Sequence, residues 1–208
     1  MTLIPPRPQG FAALTLDTAR LTLRPFREAD AGQLFAIFSD PKVARYLSRP
    51  AWPEPAAAHA RIARDVAGMA NDEYICLAIE RKKENDLIGE CSLFSFMAQC
   101  RRAEIGYALA RNAWGHGYMT EALGALIDFG FGELNLNRLE ADIDPRNTAS
   151  ATSLERRGFR KEGHLRERWI VDGEVSDSGL YGLLATEWAA SKTRYARQPA
   201  IGAAGDAQ

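Results

Sequence analysis

The stretch Ala103 to Ala122 reads A-E-I-G-Y-A-L-A-R-N-A-W-G-H-G-Y-M-T-E-A and concentrates residue types that can hold an anion. Its first part alternates like a strand, a turn with Gly115 and Gly117 follows, and an amphipathic helix begins. The first amides of a helix have no partner inside it, and the aligned peptide dipoles add partial positive charge there. Glycine lets backbone approach a ligand with no side chain in the way. Together these features suit a pyrophosphate. The donors would be the backbone N–H groups of Gly115, His116, Gly117, Tyr118, Met119 and Thr120, with the Thr120 hydroxyl as one more. A P-loop is excluded, because no Gly-Lys-Ser/Thr follows the spacer. The dinucleotide fingerprint fails too, since Thr120 stands where its third glycine belongs. A ligand-free turn between strand and helix uses Gly-His-Gly equally well, so the triplet alone does not decide.

Other reactive side chains point to less. His116 lies between the two glycines, where a side chain faces solvent or phosphate rather than a reacting atom. His59 and His164 have no metal-ligand spacing with carboxylates or with each other. Cys76, Cys91 and Cys100 are odd in number and contain no C-x-x-C pair, which argues against a disulfide framework and a zinc site. No metal is expected. The chain has 208 residues and a net charge of −1, so one domain with tails is expected and the basic excess of nucleic-acid binders is missing. No run approaches the roughly 18 apolar residues of a membrane span, and Pro5-Pro6-Arg7-Pro8 does not open a signal peptide. A cytoplasmic location is the default expectation.

The elements that must position this segment follow from periodicity. Residues 1–19 form an N-terminal arm, 20–188 the domain, and 189–208 a mobile tail. Arg20–Phe26 alternates as a strand. Ala31, Leu34, Phe35 and Phe38 recur at helical spacing after Asp30, a candidate N-cap. His59, Ile62, Val66, Met69 and Ala70 share a face of a second helix, and a Pro-rich loop from Ser48 to Pro55 precedes it. Strands follow at Tyr74–Ile79, Leu87–Phe96 and Ala103–Ala110. After the long helix come a strand at Arg138–Asp144 and a short helix at Asn147–Arg157, stopped by Gly158. Two strands, Arg160–Val171 and Asp177–Thr186, are joined through Asp172-Gly173. The order β-α-α-β-β-β-α-β-α-β-β predicts an α/β or α+β domain with one mixed sheet covered by helices.

With these elements placed, a resemblance emerges. The run E-I-G-Y-x-L-x-x-x-x-W-G-x-G-Y-x-T-E-A, from Glu104 to Ala122, resembles the acyl-CoA signature of the GNAT superfamily of N-acetyltransferases. Asn147-Thr148-Ala149-Ser150 followed by Leu154-Glu155-Arg156-Arg157-Gly158-Phe159 resembles the second signature of that superfamily, in its RimJ/RimL type. The likeness covers about Ala19 to Trp188. Asn112 stands where the superfamily pattern has Gln or Arg, with Arg111 one residue earlier, so either a phosphate contact or plain solvation is open to Arg111.

The resemblance implies a largely antiparallel mixed sheet whose central strand pair splays. Acetyl-CoA would enter the gap as co-substrate, its pantetheine arm bonded to the backbone of Tyr107, Ala108 and Leu109 and held from the other side by Asn147. Asn147 would serve equally as a helix N-cap. Glu104 is implied as general base, against a purely structural ion pair with Arg101 or Arg102. Ser150 is implied at the thiolate end, against a mere capping hydroxyl, with Tyr107 and Tyr118 as alternatives. Tyr46, Trp52, Phe94, Glu167 and Trp169 would line the acceptor site, and Glu162 or Glu167 would offer a second carboxylate. The implied activity is acetylation of a primary amine. A protein N-terminal α-amine comes first, then a small amine such as a polyamine, amino acid or antibiotic, then a non-catalytic acyl-CoA-binding module. A homodimer is implied by analogy.

Overall fold

A computed structural model describes residues 10–190. The expected tail falls at 189–208, and residues 191–208 lie outside the described part. Eight strands form one sheet in the order β1-β2-β3-β4-β5-β6-β8-β7. They are β1 (Leu16–Asp17), β2 (Leu21–Arg24), β3 (Ile75–Arg81), β4 (Asp86–Met97), β5 (Arg102–Leu109), β6 (Arg138–Ile143), β7 (Arg160–Val171) and β8 (Glu174–Leu184). The helices are α1 (Ala31–Phe38), α2 (Pro41–Ala44), α3 (Ala56–Ala70), α4 (Tyr118–Gly132) and α5 (Thr148–Arg156). Every neighbouring pair is antiparallel except β5 with β6.

Alternation along the strands sorts the core into two layers. Ile75, Leu77 and Ile79 of β3 pack with Leu93, Ile105 and Leu139 under Leu123, Leu126 and Ile127 of α4. Cys76 and Ala78 face the other way, toward Leu34 and Phe38 of α1 and Ile62 of α3. The sequence periodicity is thus realised with α4 on one face and α1 to α3 on the other.

Differences from expectation have local causes. The arm contributes β1 and buries Phe11, which stacks on Phe96 at 6.3 Å. The short α2 starts at Pro41, with Asp40 accepting from the Lys42 amide at 2.9 Å. Val66 is 45% exposed whereas Asp65 is 1% exposed. The buried stripe of α3 therefore runs through Ala58, Ile62, Asp65 and Met69 and includes a carboxylate. β8 begins at Glu174, three residues before the expected start at Asp177, because Asp172 and Gly173 both adopt positive φ and close the hairpin immediately.

Asp30 does not cap α1. Its carboxylate accepts from Arg24 at 2.8 and 2.9 Å and from the Arg27 amide at 2.7 Å. Glu80 of β3 completes the buried triad at 2.5 Å from Arg24. Burial pushes the Asp30 carboxyl up, but the bonds from Arg24 and Arg27 outweigh it and hold it below the ordinary range. Removing one partner of such a pair costs about 3–5 kcal/mol, because a charge is left uncompensated. Asp30→Ala is expected to lower unfolding free energy by about that amount, read from urea denaturation. A lowered carboxyl pKa stabilises above the unfolded value near 4 and loses that contribution as pH falls through the folded one. The acid limb of the stability profile should therefore be flatter in the variant.

Candidate active site

The turn between β5 and α4 has the geometry of an anion cradle. Gly115 and Gly117 sit at φ +80° and +74°, conformations that L side chains rarely adopt. Gly117 is the N-cap of α4, and no side chain caps the helix there. Glu121 makes the first bond back, to the Gly117 carbonyl at 3.1 Å, so the Tyr118, Met119 and Thr120 amides precede the ladder. The acidic Glu121 does not plug this end. Its carboxylate is turned to the β1–β2 corner, accepting from the Thr18 hydroxyl at 2.7 Å and from the Arg20 amide and side chain at 2.8 and 2.6 Å. A groove of about 540 Å³ runs from this turn and is lined by Leu109, Gly115, Gly117, Thr120, Asn147 and Ser150, among others.

The groove exists because β5 and β6 part company. Their parallel pairing covers only Arg102, Ala103 and Glu104, matched with Arg138, Leu139 and Glu140. From Ile105 onward β5 keeps β4 on one side and, among the described residues, pairs with no strand on the other. Backbone polar groups alternate sides along a strand. The Arg101 carbonyl accepts from Asn137 on the β6 side, whereas the Ala110 amide donates to Ile88 on the β4 side. Tyr107 and Leu109 therefore present their N–H and C=O to the gap. Ala108, expected to do the same, presents them to β4, because it is the even member of the alternation.

A second cavity, about 710 Å³, opens beyond the groove and contains Glu104, Phe94, Trp169 and Asp142. Tyr46, Tyr107, Arg146, Asn147 and Ser150 line both spaces. The Tyr107 hydroxyl lies 2.8 Å from Ser150 Oγ and donates to the Ser150 carbonyl at 3.2 Å. Burial raises the Tyr107 pKa above its ordinary value despite the Ser150 contact, so the phenol is protonated near neutrality. Asn147 Oδ1 accepts from the Ser150 amide at 3.1 Å, the expected cap, which leaves its amide nitrogen available.

A family model described as an acetyltransferase (GNAT) domain matches residues 20–160. The chain belongs to the GNAT acetyltransferase family. Members of that family take their acetyl group from acetyl-CoA. The N-acetyltransferase p20 of Bacillus licheniformis is 39% identical over 180 residues, covering 84% of this chain and 98% of p20. The Escherichia coli [ribosomal protein uS5]-alanine N-acetyltransferase is 26% identical over 186 residues, covering 83% of this chain and 92% of the relative. The crystal structure of a GNAT-family acetyltransferase from Bacillus anthracis has the same fold, with a TM-score of 0.76 at 24% identity over 84% of this chain and 100% of that one. Among the described residues no helix is long and apolar enough to cross a membrane.

In this GNAT chain several expected site residues lie elsewhere. Asn112 is exposed in a single turn of 3-10 helix and does not line the groove. Arg111 is paired with Asp40 at 2.9 Å and its side chain stays more than half exposed. The His116 side chain does not line the groove either, and its carbonyl accepts from Arg20 at 3.0 Å. Trp52 packs on Phe38 at 4.8 Å, and Glu162 pairs with Arg138. Neither they nor Glu167, whose amide donates to Asp177 at 2.8 Å, line the second cavity. Arg102 pairs with Glu140 rather than Glu104. Sequence reasoning missed Trp114, whose indole donates to the Leu109 carbonyl at 2.8 Å, although its place inside the Trp-Gly-His-Gly motif was a signal. It also missed Arg146, which bonds Asp144 at 2.5 Å and Glu174 at 2.6 Å.

Around Gly117 an added Cβ would meet only an Arg20 nitrogen at 3.7 Å, so space is not limiting and φ is. Gly117→Val should shift the turn out of its positive-φ form at a cost of roughly 1–2 kcal/mol, which corresponds to about tenfold in affinity. Calorimetric titration with CoA checks this. A dissociation constant within twofold of the parent would detach the turn from cofactor binding.

Proposed function

We propose that this chain acetylates a protein N-terminal α-amine by direct attack while both substrates are bound. The observation that carries the reading is the shared wall. Tyr107, Asn147 and Ser150 border both the groove under the α4 amides and the cavity that holds Glu104. A reacting amine and an acyl group held in the two spaces would be brought together at these three side chains, the positioning that supplies much of an enzyme's acceleration. The choice of acceptor is supported by the Escherichia coli relative, which acts on the alanine of a ribosomal protein.

The residues fit acetyl-CoA. The turn at Gly115 to Thr120 would take the pyrophosphate, and the gap-facing amide edge of Tyr107 and Leu109 would take the pantetheine amides. Acetyl-CoA, when bound, supplies a thioester carbonyl open to a neutral amine. Glu104 lies in the acceptor cavity with no hydrogen bond or ion pair among the described residues, so its carboxylate is free to accept the amine's proton directly or through water. An α-amine has an ordinary pKa near 8 and a lysine near 10.4, and a carboxylate serves the first more easily. An N–H on the Tyr107 and Leu109 edge that the pantetheine leaves unused would be the donor for the charge growing on the carbonyl oxygen. Ser150, in contact with Tyr107 at 2.8 Å, would serve the departing sulfur.

Five carboxylates line the acceptor cavity, which would suit a small polyamine. Four arginines, Arg45, Arg49, Arg146 and Arg168, line the same cavity, with Asp142 paired to Arg168 at 3.0 Å and Asp144 and Glu174 sharing Arg146. The unmatched negative charge is then too small to favour a polycation over a single amine. The test is thiol release from acetyl-CoA with N-terminal peptides and small amines offered in parallel. Peptides are expected to give the higher kcat/KM, and turnover of small amines alone would overturn the acceptor assignment. Glu104→Gln should lower kcat about 10²-fold or more, with CoA affinity unchanged. Equal loss in both, or undiminished kcat, would remove Glu104 from the role.

A further inference from the structure

Arg49 is an arginine whose bonding is unfinished. It lies between α2 and α3, lines the acceptor cavity and is 32% exposed. Its guanidinium lies 4.5 Å from the Phe38 ring centroid and 5.3 Å from that of Trp52, and the two rings are themselves packed together. Its nearest carboxylate oxygen, on Glu90, is 3.9 Å away, beyond hydrogen-bond reach. Glu90 is taken by Arg61, which donates to both its oxygens at 3.0 and 3.2 Å and bonds Asp65 as well. Burial and then the like charge of Arg61 hold Arg49 below the ordinary arginine range, even with Glu90 nearby.

A guanidinium has five N–H donors in a fixed planar fork matched to a carboxylate. Stacking on two rings uses its faces and leaves that edge to be filled. The other arginines of the cavity differ. Arg146 and Arg168 bond carboxylates of the protein, and Arg45 is exposed with its guanidinium 5.4 Å from the Tyr46 ring. In the same cavity Glu104 has no cation of its own among the described residues. A free carboxylate and a free guanidinium edge in one cavity form a complementary pair of charges for one ligand.

We infer that Arg49 binds a carboxylate of the acceptor, and that the preferred acceptor carries this carboxylate next to the amine it presents to Glu104. The inference rests on the assignment of this cavity to the acceptor. The carboxylate could belong to an acidic side chain following a peptide's first residue or to the α-carboxylate of a free amino acid. Both supply the same chemistry.

The experiment compares matched acceptors with the full chain. One arm sets a peptide beginning Ser-Asp against the same peptide beginning Ser-Asn. The other sets serine against serinamide. The acidic member of at least one pair is expected to show a KM about tenfold lower. Preference in the peptide arm names the side chain as the source, and preference in the amino-acid arm names the α-carboxylate. Arg49→Met, which keeps an apolar stem on the rings, should erase the preference while leaving KM for acetyl-CoA and for the neutral acceptor within twofold. Arg49→Lys should restore part of it. Equal KM within both pairs for the parent enzyme overturns the inference without need of a variant, and so does an equal loss for acidic and neutral acceptors in Arg49→Met. If turnover is too slow to read, titration of the N-acetylated pairs into the protein–CoA complex gives the same comparison, and equal affinities overturn it. An acidic preference confined to small molecules would sustain Arg49 and sink the peptide N-terminus.

Discussion

The parting of β5 and β6 is the constraint on which the rest of the site depends. β6 keeps β8 as partner over six register positions but keeps β5 for three. Past Glu104 the exposed edge of β5 offers the amide and carbonyl groups of Tyr107 and Leu109 in a half-buried slot. A polar backbone group left dry and unpaired costs about 1–3 kcal/mol. The Trp114 indole meets the Leu109 carbonyl, and the remaining groups need water or a ligand that bonds like another strand. The same divergence leaves room beside α5, where Asn147 and Ser150 arrive through the first turn of that helix. One failure of pairing thus creates the slot, its chemistry and its neighbours.

The walls are held by charge more than by oil. Arg24 with Asp30 and Glu80 fixes the start of α1 to β2 and β3. Arg61 with Asp65 and Glu90 fixes α3 to the sheet and fills the space between Asp65, Cys76 and Glu90, whose ligand atoms lie within 4.8 Å of one another. Arg146 ties the β6–α5 loop to β8 through Glu174 and lies 5.8 Å from the Tyr46 ring. Buried ion pairs contribute little net stability compared with apolar replacements. Their directionality does set where loops lie, and here they set the loops that border the acceptor cavity.

How much of this was legible in the sequence follows from range. The cradle was legible because every part of it is local: two glycines, a helix start and a Thr within six residues. The Asn147 cap and the Asp172-Gly173 hairpin were legible for the same reason. Asp65 was not, since its burial depends on Arg61, which reaches Glu90 of the distant strand β4 as well. Val66 and Asp65 exchanged burial because a paired carboxylate can occupy the inner stripe of a helix. Glu162 and Glu167 were misjudged because register shifts in β7 break the alternation on both sides of Leu165. The acceptor cavity draws on five separate segments, so no single window of sequence contains it.

The hydroxyl pair at the shared wall narrows the proposed chemistry further. An alkyl thiol titrates near 8.5 and an ordinary phenol near 10. Burial moves Tyr107 upward from that value. Full transfer of the Tyr107 proton to a departing thiolate is therefore uphill by more than about 2 kcal/mol, at 1.36 kcal/mol per unit of pKa. Tyr107 and Ser150 serve better as donors that keep their protons and stabilise the growing charge on sulfur. With the phenol proton on the Ser150 carbonyl, the 2.8 Å contact lets the Ser150 hydroxyl donate to the Tyr107 oxygen and turn to a ligand when one arrives. On the proposed reading the proton that finally neutralises the thiolate would come from elsewhere, and the substrate amine, which must lose one as the amide forms, supplies one of the right stoichiometry.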